Sequence, residues 1–222
     1  VMLRDFTSFQ SLANGGFHGL DPAHPEHLYI AGQQDWLIRF KGDYKKHTWS
    51  IDAVWPDVSG INKGVVIRTN GNLYIAGGQS GNVYRLAGDR WLLSAGIIRK
   101  EVDKNPVYFL WHDANGNGIA EDDEMTPAQM PGNLMTYHGQ NWLEDLSFLA
   151  IGQGSRDVWR LTPEGFDING NPIFKEWKKV LTDPTFEARA KGVVDAIYGG
   201  NESGDNFSSD WMQADGSLKE GF

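Results

Sequence analysis

The apolar residues of this chain fall in short runs that are separated by glycine-containing turns. In the clearest stretch, a β-branched run at 64–69 is followed by Asn70-Gly71, a dipeptide that tolerates the positive φ angles of a type I′ hairpin turn. Further strands are predicted at 72–77, 82–87 and 90–95, with turns at 79–81 and 88–89. Helical periodicity is nearly absent and gives only a short candidate at 185–191. The pattern predicts an antiparallel meander of four short strands.

Several words of this meander recur along the chain, which indicates an internal repeat. Leu-Tyr-Ile-Ala-Gly occurs at 28–32 and again at 73–77, and each copy is followed by an arginine, Arg39 or Arg85, and a Gly-Asp pair. A third copy reads Leu-Ala-Ile-Gly at 149–152 and Val-Trp-Arg-Leu at 158–161, and a fourth opens with Lys-Gly-Val-Val at 191–194. The period is about 45 residues, and the third unit is longer, as if a segment had been inserted.

A repeated four-stranded meander of this length is one blade of a β-propeller, so the predicted fold is all-β. The predicted blades cover about 17–54, 63–96 and 105–181, followed by a partial blade at 191–222. The strands are apolar almost throughout, as expected when both faces of each sheet are buried between neighbouring blades. About four blades are visible, so we expect a fragment of a larger propeller. The alternative is a four-bladed ring that is closed by an N-terminal strand around 2–9.

The third unit contains the sharpest motif, a twelve-residue segment at 113–124 that matches an EF-hand calcium loop. Its glycine at the sixth position is Gly118. The predicted oxygen ligands, at positions 1, 3, 5, 7, 9 and 12, are Asp113, Asn115, Asn117, the backbone carbonyl of Ile119, Glu121 and Glu124. Alternate spacing is needed because the loop winds around the ion and turns every second residue inward. We therefore predict Ca²⁺ as the cofactor.

The segments around the loop differ from those of a paired EF-hand. The run at 107–112 before the loop is typical of a strand, and two prolines follow the loop, at 127 and 131, so a long exiting helix is not expected. We therefore expect a structural site, without the swinging helices of a sensor, that fixes a long excursion between strands. The alternative is a solvated acidic turn without a metal, although its four consecutive carboxylates at 121–124 would repel one another.

The Leu-Tyr-Ile-Ala-Gly and Val-Tyr-Arg-Leu words, together with the Asp-x-Asn-x-Asn-Gly loop, resemble the NHL- or YVTN-like propeller repeats of large bacterial secreted proteins. The resemblance extends over most of the chain. It implies the propeller architecture and says little about activity, because one fold carries many functions.

Composition narrows the choice of partners. The formal net charge is −9 and no long Lys/Arg run is present, so we do not expect nucleic acid as a partner. There is no cysteine, which excludes disulfides and thiolate metal sites. No apolar run is long enough to cross a membrane. The chain begins Val1-Met2 without a leader, so we expect a removed signal peptide or a piece of a longer protein.

Tryptophan is frequent, with nine residues. Trp36, Trp55 and Trp142 lie beside turn residues and form a possible exposed platform for stacking a sugar ring, and the alternative for all three is packing. The histidines at 18, 24 and 27 lie in a proline-containing connection, where unconnected loop residues are a simpler interpretation than a zinc site.

Two functions follow from these patterns. The first is a non-catalytic, calcium-stabilised propeller module of a larger secreted or periplasmic protein that binds protein or carbohydrate. The alternative is part of a propeller enzyme, a calcium-dependent quinone dehydrogenase or a hydrolase, with its active site at the channel mouth. An enzyme requires charged side chains from several blades to converge at the axis, and the repeated Arg39, Arg85 and Arg160 occupy third-strand positions that we expect to lie away from it. The binding module is therefore preferred.

Overall fold

A computed structural model of the chain describes residues 17–31, 36–61, 64–77, 81–129, 142–151 and 158–181. In these ranges the protein is all-β and consists of several antiparallel sheets, as predicted. Among the described residues no helix is long and apolar enough to cross a membrane. The helix candidate at 185–191, the partial blade at 191–222 and the N-terminal strand at 2–9 lie outside the described residues.

The first sheet is a four-stranded meander that lies in the interval predicted for the first blade. Its strands, in spatial as well as chain order, are β1 (Phe17–Asp21), β2 (His24–Ala31), β3 (Leu37–Asp43) and β4 (Thr48–Trp55). Each strand pairs with the next one along the chain.

The second sheet begins as the same kind of meander and is then extended. Its strands are β5 (Val65–Thr69), β6 (Asn72–Ala76), β7 (Val83–Ala87), β8 (Arg90–Val102), β9 (Asn105–His112) and β10 (Met125–Pro127). The predicted turn at Asn70-Gly71 has φ angles of 47° and 73°, which are the positive values that a type I′ turn requires.

The extension divides the interval 105–181, which the sequence assigns to a third blade, between two sheets. Strand β8 is 13 residues long, so it continues past its pairing with β7 and forms a second hairpin with β9. The turn of this hairpin is Asp103-Lys104, with φ angles of 50° and 65°. Neither residue is glycine, and this is why the sequence pattern does not reveal the hairpin.

The third sheet contains β11 (Phe148–Ile151), β12 (Val158–Leu161) and β15 (Trp177–Leu181). Between β12 and β15 the chain forms a small hairpin of β13 (Gly165–Phe166) and β14 (Pro172–Ile173). The connection between β12 and β15 therefore contains a strand pair of its own, separate from the predicted insertion before Val158.

The second sheet is packed on both faces. Consecutive residues of its strands enter opposite apolar clusters, since side chains alternate along a strand. The cluster shared with the first sheet contains Tyr29, Ala31 and Leu37 from that sheet and Val66, Leu73, Ile75, Tyr84 and Trp91 from the second. The cluster shared with the third sheet contains Ile67, Tyr74, Ala76, Val83 and Ala95 from the second sheet and Phe148, Ala150, Leu161 and Trp177 from the third.

A β-bulge recurs in each of the three sheets, where β3, β7 and β12 pair with the strand that follows in the sheet. It lies between Val83 and Tyr84 in the second sheet and at the equivalent Val158 and Trp159 in the third. In the first sheet it falls two residues later in the repeat, after Arg39. The bulge changes the face that the following side chains occupy and increases the local twist. The repeat therefore extends to backbone geometry that the recurring words do not specify.

The first and second sheets meet at their first strands, β1 and β5. A Cβ placed on Gly19 would lie 2.9 Å from a methyl carbon of Val66, so the two backbones approach closely here. Arg68 donates two hydrogen bonds to the buried carboxylate of Asp21, at 3.0 and 2.7 Å. Burial by itself would raise the pKa of Asp21, but the hydrogen bonds from Arg68 and Ala23 and the charge of Arg68 together lower it.

Rows of apolar side chains also cross the other face of the first sheet. Cross-strand neighbours share a face, and the register places Leu20, Leu28, Phe40 and Ile51 in one row and Ile30, Ile38 and Val54 in another. Leu20, Ile51 and Val54 are 48%, 58% and 54% exposed. Ile30 and Phe40 of the same rows are buried, so the apolar surface of this face is exposed only in part, at Leu20, Ile51 and Val54.

Replacing Asp21 with Asn should weaken the joint between the first two sheets. Because the folded pKa of Asp21 is lowered, its contribution is complete above the unfolded value of about 3.9 and is lost as the pH falls through the folded value. We expect Asp21→Asn to reduce the free energy of unfolding by about 1–3 kcal/mol at pH 7 and by less at pH 3. Urea unfolding at both pH values measures the difference, with the exposed Asp57→Asn as control. An equal loss at both pH values would contradict the assignment.

Candidate functional site

The predicted calcium loop leaves the end of β9 and returns to the sheet at β10, which pairs with β9. A single 3₁₀ turn at Asp122–Glu124 precedes β10. Gly116 and Gly118 have φ angles of 77° and 75°, in the left-handed region where glycine is favoured. The backbone therefore winds tightly in the segment where the motif requires a sharp turn.

Asp113, at the first motif position, is buried and organises the start of the loop. Its two carboxylate oxygens accept hydrogen bonds from the backbone amides of Asn117 and Gly118, both at 2.9 Å. Burial raises the pKa of Asp113, the backbone hydrogen bonds oppose this shift, and the nearby charge of Glu124 adds to it. Asp113 is therefore a desolvated carboxylate, and a cation bound beside it would favour its charged form.

Glu124, at the twelfth position, closes the loop by accepting hydrogen bonds from the start of the loop and from the strand that precedes it. Its Oε1 accepts a hydrogen bond from the Asn115 amide at 3.1 Å, and its Oε2 accepts one from the indole Nε1 of Trp111 at 2.9 Å. The motif does not include Trp111. The only sequence signal for its role is its position on strand β9, two residues before Asp113, because side chains two residues apart on a strand point to the same face.

The remaining predicted ligands lie between these two carboxylates. Glu121 accepts hydrogen bonds from the side-chain amides of Asn115 and Asn117. The backbone amide of Ile119 donates to Asn117 Oδ1 at 2.7 Å, and the Ile119 side chain is exposed. Asp122 and Asp123 are also exposed, as predicted for the two acidic residues that the motif does not use. Hydrogen bonds thus connect the five residues with predicted side-chain ligands within one loop.

The atoms that the predicted ligands would offer to a metal ion are oxygens, the ligand type that Ca²⁺ prefers. In the described part of the chain, no three His, Cys, Asp or Glu side chains are grouped so that they could hold a metal ion. A calcium ion in this loop would therefore need amide and backbone oxygens as well as the carboxylates, as in the EF-hand pattern. Asp113, Asn115, Asn117, Glu121 and Glu124 would hold the ion, with the carbonyl of Ile119.

The three tryptophans predicted as a sugar platform lie in different environments. Trp142 is 3% exposed, packs on Phe148 and donates its indole hydrogen to the Gly77 carbonyl at 3.1 Å. This burial corrects the expectation of an exposed ring, since the turn beside Trp142 directs it into the core between the second and third sheets.

Trp55 and Trp36 are both partly exposed. Trp55 packs against Tyr29 and Trp91 and donates to the Asp89 carbonyl at 2.7 Å, so most of its ring and its polar atom already have partners. The structure does not bring Trp36, Trp55 and Trp142 together into one exposed surface.

The repeated arginines of β3, β7 and β12 all have hydrogen-bond partners, one in a strand and two in turns. Arg39 bonds to Asp52 at 2.6 Å, Arg85 bonds to Asn171 at 3.0 Å, and Arg160 bonds to Asp145 at 2.6 Å. Each arginine therefore stabilises its own sheet or an adjacent segment.

No protein-family model matches this chain, and no curated protein matches its sequence.

Gly118→Ala should destabilise the loop through its backbone alone. A Cβ at Gly118 would meet Leu92 at 3.5 Å, an ordinary contact, but the φ of +75° disfavours any residue with a Cβ. We expect a loss of about 1–2 kcal/mol in the free energy of unfolding. Thermal or urea unfolding measures it. The control is Gly165→Ala, where a Cβ meets nothing within 4 Å and the φ is not left-handed. Equal effects of the two substitutions would contradict the strained-turn explanation.

Proposed function

We propose that this chain is a non-catalytic, calcium-stabilised β-propeller module of a larger secreted or periplasmic protein. The observation that carries the proposal is the packing of the second sheet on both faces, by the first sheet on one side and the third on the other. Successive meanders that stack face to face are the arrangement from which a propeller is built. The recurring bulge and the contact between first strands support the same arrangement.

The calcium part of the proposal rests on the loop at 113–124. Its two glycines have the required left-handed φ, its first carboxylate is buried, and its last carboxylate is held against the loop by Trp111 and Asn115. Calcium would be bound by the carboxylates of Asp113, Glu121 and Glu124 together with amide and backbone oxygens of the loop. Its role would be to fix the excursion between β9 and β10.

A protein partner is supported by the exposed apolar side chains of the first sheet, Leu20, Ile51 and Val54. Apolar rows that cross a sheet are normally covered, and the second sheet shows how a meander of this chain covers both of its faces. A further blade of the same protein fits this face best, because the first and second sheets share the same strand order. Carbohydrate binding has weaker support, since Trp142 is buried and Trp55 is largely engaged.

Calcium should raise the melting temperature of metal-free protein. At a free concentration about 100 times the dissociation constant, binding adds about 2.7 kcal/mol, or about 5–10 °C for a chain of this size. Calorimetric titration and thermal unfolding with and without Ca²⁺ measure binding and stabilisation. Glu124→Gln removes a ligand oxygen charge and should abolish most of the shift.

The matched control is Asp123→Asn, which removes the same charge from an exposed neighbour that the motif does not use. It should keep the calcium-dependent shift. A wild-type protein whose melting temperature does not change with Ca²⁺, or a control that loses as much as Glu124→Gln, would overturn the calcium role.

A further inference from the structure

The turn at 167–171, between β13 and β14, lies directly against the calcium loop. A Cβ on Gly116 of the loop would meet the Asn169 side chain at 3.1 Å, so the two segments touch. Asp167 holds the turn closed, since its Oδ1 accepts hydrogen bonds from the backbone amides of Asn169 and Asn171, both at 2.8 Å. The turn is therefore a compact unit with its own internal hydrogen bonds.

Asn171 joins this turn to the first residue of the loop. Its side chain is completely buried, and its Nδ2 donates to the backbone carbonyl of Asp113 at 2.6 Å. Its Oδ1 accepts a hydrogen bond from Nε of the buried Arg85 at 3.0 Å. One buried amide thus uses its donor for the loop and its acceptor for the second sheet, and removing it would leave buried groups on both sides unpaired.

A second contact fixes the turn to the second sheet. The buried hydroxyl of Tyr74 donates to the Gly170 carbonyl at 2.6 Å, and burial raises the pKa of Tyr74 to about 12. A Cβ on Gly170 would lie 2.6 Å from the Asn72 amide nitrogen, so only glycine fits this close approach. These contacts fix the position of the turn between the calcium loop and strands β6 and β7.

We propose that Asn171 is a positioning residue for the calcium loop and that it couples calcium binding to the closure of the β13–β14 hairpin. The inference rests on the proposed calcium site. Asn171 holds the backbone of Asp113, so an ordered turn favours the arrangement that binds the ion. By thermodynamic reciprocity, a bound ion must favour the ordered turn by the same factor. Calcium would then stabilise a hairpin of the third repeat as well as the loop itself.

Hydrogen exchange of the full chain, with and without Ca²⁺, tests the coupling. In the wild-type protein we expect Ca²⁺ to slow amide exchange at 165–173 by about tenfold. In Asn171→Ala we expect the protein to bind Ca²⁺ about tenfold more weakly by calorimetry and to lose the calcium-dependent slowing at 165–173. A merely structural role would lower the overall stability of the variant but would keep the slowing.

The control is Asn105→Ala, in which the lost amide is exposed and bonds only to the Asp103 carbonyl of its own turn. It should keep the affinity and the slowing. If Asn171→Ala does not fold, Asn171→Asp keeps an acceptor for Arg85, and its exchange pattern is read instead. Calcium binding by the wild type without slowing at 165–173, or a slowing that survives in the folded variants, would overturn the coupling. If the wild type gives no binding heat, the calcium site itself fails, and the coupling fails with it.

Discussion

Burial of both faces of the second sheet is the constraint on which the rest of this structure depends. A meander of four short strands that places consecutive apolar residues, such as Val66 and Ile67 or Tyr74 and Ile75, on opposite faces has no face that it can leave in water. It is stable only between two neighbours, and the chain supplies them before and after it. This stacking has three consequences. Strands β1 and β5 approach closely, Asp21 forms an ion pair with Arg68, and the 167–171 turn is fixed against the second sheet.

The chain departs from the simple repeat in the second sheet and in the third sheet, and the two added segments contact each other. The long strand β8 adds a second hairpin, and the excursion after β9 carries the candidate calcium loop. The insertion in the third sheet returns to this loop through Asn171. Buried polar groups that are all paired specify one arrangement more strictly than apolar packing does. The chain therefore uses apolar contacts for the repeated sheets and a polar network for the inserted segments.

The sequence predicts the parts of the fold that depend on local chemistry. The Asn70-Gly71 turn, the strands beside it and the all-β class follow from residues that are neighbours in the chain, and the EF-hand pattern identifies a loop with the expected glycine conformations. Propeller closure and the bound ion are still predictions. The hairpin at Asp103-Lys104 is not revealed by the sequence because its two positive φ angles are adopted without a glycine. The burial of Trp142 and the role of Asn171 depend on contacts between distant segments, for which a single sequence carries no signal.

The absence of cysteine makes the stacking of the sheets directly measurable. A Cβ on Gly19 would lie 3.4 Å from Cβ of Val66, close to the separation that a disulfide requires. The double variant Gly19→Cys with Val66→Cys should therefore form an intramolecular disulfide between the first and second sheets under mild oxidation, with a circular dichroism spectrum like that of the wild type. Two thiols that stay free in the folded, oxidised variant would contradict the face-to-face arrangement of these sheets.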